Sequence, residues 1–215
     1  MISGTRLASL VAAVATVVAV ASVILLYTSR PPATDSPEAS FARDMMVHHD
    51  QAVEMAGIIR DRTNDEHIRA LATDILLTQQ GQIGQMQGWL DVWGLPATGP
   101  EPPMAWMGHP VEEGRMPGMA PQEEVNRLHT LPPEEADVLF LRLMIPHHEA
   151  ALPMSEAIIE RTGRPEVIRL AESIAASQAA EIEVMQQMLE ERGEDRLEDE
   201  PAPHEHHPGR SDHGH

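Results

Sequence analysis

Two short stretches of the chain place a pair of histidines among methionines. Residues 45–55 read MMVHHDQAVEM, and residues 144–154 read MIPHHEAALPM. Thioether sulfur is a soft donor and imidazole nitrogen a borderline one, and the chain has no cysteine to supply a thiolate. Such a donor set suits copper, as Cu(I) or a Cu(II)/Cu(I) couple, or silver better than Mg, Ca or Mn. Zinc is the second choice, because its sites more often combine Cys, His and carboxylate.

Catalysis is the less favoured interpretation of the same residues. Di-iron sites in helical bundles use Glu-x-x-His motifs, and the segments around the two histidine pairs contain none. The sequence also shows no Ser-His-Asp arrangement and no phosphate-binding loop. A copper site would permit oxidase chemistry, but no residue in the pattern requires it.

The two stretches belong to an internal duplication. Residues 41–94 align with residues 140–193 at a constant offset of 99 and without a gap. The identical pairs include Phe41/Phe140, Met45/Met144, His48/His147, His49/His148, Met55/Met154, Thr63/Thr162, Gln79/Gln178, Met86/Met185 and Gly94/Gly193. Identities that extend through the whole of both segments indicate that each segment folds in the same way.

Each copy has the apolar periodicity of a helical hairpin. The first helix is predicted from about residue 38 to 62, with Ser36 or Ser40 as its cap. The second is predicted from about residue 64 to 93, with Thr63-Asn64 supplying the turn and its cap. Gly94 and its counterpart are suited to end the second helix of each hairpin. One hairpin cannot bury its apolar stripe alone, so the two are expected to pair. The predicted fold class is therefore all-α, a four-helix bundle made of two duplicated hairpins.

The helical repeat predicts which polar side chains face the interior of that bundle. At 100° per residue both histidines of each pair lie on the broad apolar stripe, whereas Asp50 and Glu54 point away from it. The interior positions of the facing helices also include polar residues, namely Gln79, Gln82, Gln178 and Glu181. Burying such groups is costly unless they hydrogen-bond to one another or bind an ion. Both a His/Gln/Glu network and a metal site meet that condition, and the repeated Met–His–His–Met arrangement favours the metal site.

The overall charge restricts the classes of partner. The chain has 34 acidic residues against 15 basic ones and a formal net charge of -19. Such a surface repels the phosphates of nucleic acids and attracts cations. Metal ions are therefore the expected partners and nucleic acid is not, while the sequence identifies no protein partner.

The N-terminal part of the chain has the features of a membrane anchor. Residues 7–27 form an uncharged, mostly aliphatic run between Arg6 and Arg30, about long enough to cross a bilayer. No clear small-x-small cleavage site follows, so an uncleaved signal-anchor is favoured, with cleavage near residues 19–22 as the alternative. The bundle is then expected on the extracytoplasmic side of the cell membrane, on a single-pass protein, or to be secreted after cleavage.

Composition divides the chain into four parts. They are a signal-anchor or transmembrane segment (residues 1–30), a Pro- and Ser-rich linker (31–40), the bundle (41–193) and a His-rich tail (194–215). A connection rich in Met and Pro, residues 95–132, separates the hairpin repeats and ends in a short helix predicted from about residue 122 to 131. The tail is polar and low in hydrophobic residues, which predicts disorder.

Two segments outside the repeats hold further candidate metal ligands. In the connection they are Met104, Met107, His109, Met116 and Met119. In the tail they are His204, His206, His207, His213 and His215. The connection residues make either a soft-metal cluster or ordinary linker contacts. The tail residues are typical of a low-affinity scavenger of Cu(II), Ni or Zn, or of a solvated low-complexity end.

The same motifs resemble a bacterial family known as domain of unknown function three hundred and five. The segments that carry the resemblance are FARDMMVHHDQAVEM (41–55), QQGQIGQM (79–86), MPGM (116–119), FLRLMIPHHEAALPM (140–154) and QAAEIEVM (178–185). The resemblance covers about residues 38–193 and implies a ferritin-like helical bundle. Some members are implicated in copper or silver binding and resistance outside the cytoplasm.

The resemblance also implies a set of metal ligands. These are His48, His49, His147 and His148, with Met45, Met55, Met144 and Met154. Met86, Met185 and Glu181 on the facing helices complete the candidate set. The chain departs from the family pattern at Gln82, where Glu is common, and at Pro153, where Pro is usually avoided.

The sequence as a whole predicts a membrane-anchored, extracytoplasmic protein that binds copper or silver for homeostasis or resistance. The alternative is a non-catalytic structural or interaction module of the cell envelope, with a buried His/Gln network and no metal. The two interpretations differ in what the ring nitrogens of the histidines contact.

Overall fold

The structure, a computed structural model, describes residues 12–22 and 30–194. Within these residues the regular structure is helical throughout, which confirms the predicted all-α class. Residues 12–22 form a helix, α1, with exposed side chains. The other helices are α2 (Pro37–Arg62), α3 (Glu66–Trp93), α4 (Gln122–Arg127), α5 (Pro133–Arg161) and α6 (Pro165–Glu191), with a 3-10 turn at Ala105–Met107.

Side-chain caps set the starts of α2 and α3. The Ser36 hydroxyl accepts a hydrogen bond from a backbone amide in the first turn of α2, at 3.3 Å. For α3 the cap is Asp65, whose carboxylate accepts two first-turn amides. Thr63, predicted together with Asn64 to supply this chemistry, instead accepts from the amide of Asp65. The predicted start near residue 64 is therefore wrong by two residues.

Matched glycines end α3 and α6. Gly94 has φ +69° and Gly193 has φ +73°, a left-handed conformation that a residue with a Cβ adopts only with strain. In each case the amide of the next residue donates to the carbonyl of the leucine four positions before the glycine, at 2.9 Å and 3.1 Å respectively. This is the Schellman arrangement, which satisfies carbonyls that the helix end leaves free.

The two hairpins, α2 with α3 and α5 with α6, pack together mainly through α2 and α5. Two equivalent hydrogen bonds join them. The Thr63 hydroxyl donates to Asp137 at 2.8 Å, and its counterpart Thr162 donates to Glu38 at 2.9 Å. Asp137 and Glu38 are themselves counterparts at the offset of the duplication. The turn of each hairpin is thus hydrogen-bonded to a residue near the start of the first helix of the other hairpin.

The buried apolar side chains form two clusters. Of the six candidate methionines in the repeats, those in one cluster are Met55, Met144 and Met185. Those in the other are Met45, Met86 and Met154. The two trios are related by the duplication, and each takes methionines from both hairpins. A single Met–His–His–Met motif therefore does not form a separate half of the core.

The predicted membrane anchor lies only partly within the described residues. None of the helices that the structure describes is both long enough and apolar enough to span a bilayer. Both ends of the predicted span, residues 7–11 and 23–27, lie outside the described residues.

Candidate metal centre

The four histidines of the duplicated motifs lie in the interior of the bundle. His48 and His49 on α2, and His147 and His148 on α5, are all 0% exposed. Asp50 and Glu54 are exposed, as their helical angles predict, whereas Glu149 is half-buried. A helix normally directs consecutive residues about 100° apart, so two adjacent positions both face inward only where neighbouring helices enclose a broad stripe.

The first histidines of the two motifs meet where α2 and α5 pack together. The ring centroids of His48 and His147 are 3.8 Å apart, and the ring planes are inclined by 36°. His147 also lies near His148, with ring centroids 6.2 Å apart. The duplication therefore places one imidazole from each motif in direct contact at the centre of the bundle.

Oxygen acceptors fix the tautomers of three of these histidines. His49 Nε2 lies 2.7 Å from Gln82 Oε1, and His148 Nε2 lies 2.7 Å from Glu181 Oε2. His48 Nε2 lies 3.3 Å from the carbonyl oxygen of Pro117. Because these oxygens can only accept, the ring proton is on Nε2, and the Nδ1 lone pair remains available.

The other ring nitrogens have no partner among the described residues. The Nδ1 atoms of all four histidines, and Nε2 of His147, are buried and make no hydrogen bond to any described group. A buried polar atom of this kind is uncommon, because losing its contact with water costs about 1–3 kcal/mol. Unprotonated imidazole nitrogens in this position are suited to hold a metal ion, so the residues fit one.

Burial keeps three of these imidazoles, those of His48, His49 and His147, neutral. It lowers the pKa of His48 to about 4 and that of His49 to about 3. Burial and the neighbouring imidazoles hold the pKa of His147 well below its usual range. Neutral imidazole is the form that binds metals, so these nitrogens stay available even in mildly acidic surroundings.

The candidate methionines flank the histidines along the helix axes. All six are buried, namely Met45, Met55, Met86, Met144, Met154 and Met185. Along α2 the His48–His49 pair lies between Met45, in one apolar cluster, and Met55, in the other. The α5 motif has the same order, so thioethers lie on both sides of the histidine layer.

Harder donors do not assemble into a site of their own. Nowhere in residues 12–22 or 30–194 are three His, Asp or Glu side chains arranged to hold a metal ion by themselves. Glu181, the carboxylate in the candidate set, contacts His148, and its side chain is 18% exposed. A metal ion held by these histidines would therefore need thioethers to complete its coordination, which favours a soft ion.

Several buried polar residues were not identified from the sequence. Gln51, Ser155 and Gln186 are buried, and the Ser155 hydroxyl has no partner among the groups described. Gln51 lies three residues after His48, on the same helical face, so helical spacing contained a signal for it. Gln79 and Gln178 were predicted to face inward and do so, at 2% and 1% exposure.

A short loop covers the His48 side of the histidine layer. The Gln51 amide donates to the Ala120 carbonyl at 3.0 Å and accepts from the Ala120 amide at 2.7 Å. Between this clamp and Pro117, Gly118 adopts φ +76° and lies against α5. A Cβ added there would be 2.5 Å from the Cβ of Ala150 and from the carbonyl oxygen of Pro146.

Comparison with known proteins now identifies the family. The model of the family described as domain of unknown function (DUF305) matches residues 38–189. The chain belongs to the DUF305 family. A DUF305 protein from Streptomyces coelicolor, a candidate secreted protein, is 47% identical with a TM-score of 0.73, over 78% of this chain and 100% of that one. A DUF305 fragment from Deinococcus radiodurans is 40% identical with a TM-score of 0.63, over 75% and 99% of the two chains.

Structures of the protein CopM are also similar to this DUF305 chain. CopM in its Cu(I)-bound form is 28% identical with a TM-score of 0.54, over 72% of this chain and 96% of CopM. CopM structures with Ag, with Cu(II) and in the apo form match at similar levels. An uncharacterised mimivirus protein, L153, is 36% identical over 69 residues, and that match spans only 45% of its length.

The candidate ligands outside the repeats have different positions in this DUF305 chain. Met104 and Met116 are buried in an apolar cluster, Met107 and Met119 are half-buried against it, and His109 is exposed. Asp44 holds the start of this segment, since its carboxylate accepts the Met104 amide at 2.8 Å. The tail candidates, His204, His206, His207, His213 and His215, lie outside the described residues.

Proposed function

We propose that this protein binds copper or silver ions in the interior of its helical bundle. The observation that carries the proposal is the layer of four buried imidazoles whose Nδ1 atoms have no partner among the described groups. Thioethers lie on both sides of this layer. A soft ion supplies the interaction that these nitrogens otherwise lack. The likeness to CopM, which has been crystallised with Cu(I), Cu(II) and Ag, supports the same choice of ions.

The side chains have distinct roles in this proposal. The imidazole nitrogens are the principal ligands, and the buried methionines supply the sulfur donors. Gln82 and Glu181 hold the Nε2 protons of His49 and His148, which fixes the tautomer and orients each ring. The methionines and His109 of the connection, and the histidines of the tail, are auxiliary ligands for ions that approach the bundle.

The location of the bundle is also part of the proposal. Residues 7–27 act as an uncleaved anchor in the cell membrane, and the bundle lies on the extracytoplasmic side. Cleavage of this segment would release the same bundle as a secreted protein. The described residues contain no membrane-spanning helix, so the anchor is supported only by the sequence. The candidate secreted DUF305 protein supports an extracytoplasmic location. In that location the protein buffers copper or silver, and it contributes to homeostasis or resistance.

Titration of the full-length chain with Cu(I) or Ag(I) against a competing chelator tests the metal function. The double variant His48→Ala/His147→Ala removes the central ring pair, and we expect affinity to fall at least 100-fold because two ligands are lost. The variant His129→Ala removes an exposed histidine and is the control. Far-UV circular dichroism shows whether the double variant keeps its helices. Unchanged affinity in a folded double variant would contradict the proposed site.

A structural module without metal is the second candidate, and two contacts favour it. The bonds from His49 to Gln82 and from His148 to Glu181 are what a buried polar network requires. This candidate predicts that purified protein contains no stoichiometric metal and that its Tm does not respond to Ag(I). The metal-binding proposal predicts a Tm that rises with Ag(I) concentration, because ligand binding stabilises the folded state by mass action.

A further inference from the structure

A surface groove separates the first half of α3 from the last half of α6. Its volume is about 340 Å³. The lining side chains that carry chemistry are His67, Asp74, Glu181 and Met188. We call this cavity the α3–α6 groove. It combines an imidazole, two carboxylates and a thioether, and the described lining contains no arginine.

Glu181 connects this groove to the buried histidines. Its side chain is 18% exposed and lines the groove, while its carboxylate lies 2.7 Å from Nε2 of His148, which is 0% exposed. Glu181 thus contacts solvent on one side and the histidine layer on the other. A cation held by Glu181 is one short step from an imidazole of the core.

The duplication provides an internal comparison for this groove. At the equivalent positions on the other face, Ser173 replaces Asp74, Gln82 replaces Glu181 and Trp89 replaces Met188. Two carboxylates are therefore lost and one is gained, because Glu166 replaces His67, while the equivalent of Ala70 is the exposed Arg169. Trp89 packs against an apolar cluster and stacks on Trp93, with ring centroids 5.9 Å apart.

The equivalent face is therefore less suited to cations in both charge and shape. Gln82 is neutral and only 7% exposed, so it does not present a carboxylate to solvent. An arginine repels cations, and an indole occupies more space than a thioether. The two faces have diverged in the properties that govern cation approach, although both still contact a motif histidine.

The connection covers a different approach to the histidine layer. The loop at residues 117–120 contacts His48 through the Pro117 carbonyl and is clamped to Gln51 at Ala120. Gly118 lies so close to α5 that even a Cβ would not fit. Cations approaching from this side meet packed backbone, whereas the α3–α6 groove leads directly to Glu181.

We infer that the α3–α6 groove is the route by which soft cations reach the buried histidines. Asp74 and His67 attract and briefly hold the ion at the surface, with Met188 as a sulfur donor in the same groove. Glu181, whose carboxylate contacts His148, then passes the ion to the histidine layer. The inference rests on the proposed copper or silver binding, and it adds an order of loading, since His148 of the α5–α6 hairpin is the first motif histidine that the ion reaches.

Loading kinetics test the route. Cu(I) is transferred to the full-length protein from a chromogenic chelator in a stopped-flow instrument, and excess chelator removes it in the reverse experiment. For Asp74→Asn we expect both rate constants to fall several-fold at low salt, with the equilibrium affinity unchanged within about twofold. A residue on a route alters entry and exit together, whereas a ligand alters affinity. The difference from wild type shrinks at high salt because charge attraction is screened.

Two further variants make the result specific. Glu181→Gln removes the carboxylate that links groove and core, and we expect it to slow loading more than Asp74→Asn does. Glu172→Gln removes an exposed carboxylate from α6 outside the groove, and we expect wild-type rates. Wild-type loading rates in both Asp74→Asn and Glu181→Gln would overturn the route while leaving metal binding intact. A wild-type protein that takes up no Cu(I) would overturn the proposed function and the route together.

Discussion

The two hairpins have the same helical plan but differ in what surrounds their histidines. His49 of the first hairpin contacts a neutral amide, Gln82, whereas His148 of the second contacts a carboxylate, Glu181. The motif histidines, the six candidate methionines of the repeats and the turn threonines are the same in both copies. The duplication has therefore kept the candidate ligands and the ties between hairpins, while the residues that set charge around the ligands have diverged.

The connection adds a second difference between the hairpins. Gln51 in the first hairpin clamps Ala120, and its counterpart in the second hairpin is Ala150. Ala150 is small enough for Gly118 to approach α5 closely. The same loop thus makes different contacts at two equivalent positions. On α2 it hydrogen-bonds to the side chain of Gln51, and on α5 it packs closely over the small side chain of Ala150. The histidine layer is therefore covered from one side although its helices are repeated.

Low pH should lower the free energy of unfolding through the two buried histidines of the first hairpin, His48 and His49. The pKa values of His48, about 4, and His49, about 3, lie below the usual 6.5 because both rings are buried. Between pH 6.5 and 4 the unfolded chain binds protons that the folded chain does not, so stability is complete above pH 6.5 and falls as pH decreases. At about 1.4 kcal/mol per pH unit and histidine, these two residues account for a loss of roughly 5 kcal/mol between pH 7.5 and 4.5, and His147, whose pKa is also held well below its usual range, adds to it. Urea denaturation at the two pH values measures this loss.

Gln82→Glu makes the surroundings of His49 resemble those of His148, and it tests how far the missing carboxylate contributes to the acid-induced loss of stability. A carboxylate beside His49 favours the imidazolium, which raises the folded-state pKa and reduces the acid-induced loss by roughly 1–2 kcal/mol. Gln85→Glu adds the same charge at an exposed position of α3 and is the control. If both variants lose stability with pH as the wild type does, the Gln82/Glu181 difference has no electrostatic effect on His49.

Gly118→Ala tests how tightly the loop is held against the second hairpin. The substitution forces a Cβ to within 2.5 Å of a backbone oxygen and requires φ +76°. We expect the free energy of unfolding to fall by about 3 kcal/mol, from strain and overpacking together. Gly94→Ala has a similar φ, +69°, but meets nothing within 4 Å, so strain alone should cost about 1 kcal/mol. Equal losses in chemical denaturation would show that the loop is free to move away.

The sequence predicted what depends on helical periodicity. The 3.6-residue repeat and the duplication together indicated four long helices, an inward direction for both histidines of each pair and an exposed Asp50. Periodicity gives the face of a helix on which a residue lies, but it does not identify the neighbour that the residue meets. The grouping of Met55 with Met144 and Met185, across the two hairpins, required the packing of α2 against α5.

Contacts between distant segments were also beyond the sequence pattern. Gln51 and Ala120 are 69 positions apart, and Thr162 and Glu38 are 124 apart. Neither pair follows a helical or strand repeat, because the path of the connection and the crossing of the hairpins bring them together. The cap of α3 was mispredicted for a local reason. Thr63 and Asp65 both have capping side chains, and the tie from Thr63 to Asp137 leaves Asp65 to accept the first amides.

The smallest expected effect concerns how the hairpins begin their helices. Both helices of the first hairpin have side-chain caps, Ser36 and Asp65, whereas the described starts of α5 and α6 have none, although α2, α5 and α6 all carry proline in the first turn. Ser36→Ala should lower the free energy of unfolding by about 1 kcal/mol, since a first-turn amide loses its acceptor. Asp35→Ala, at the exposed neighbouring position, is the control, and urea denaturation measures both. A loss no larger than that of the control would mean that tertiary contacts, such as the bond from Thr162 to Glu38, fix the start of α2 without the cap. The first hairpin would then resemble the second, whose helices start on proline geometry and packing.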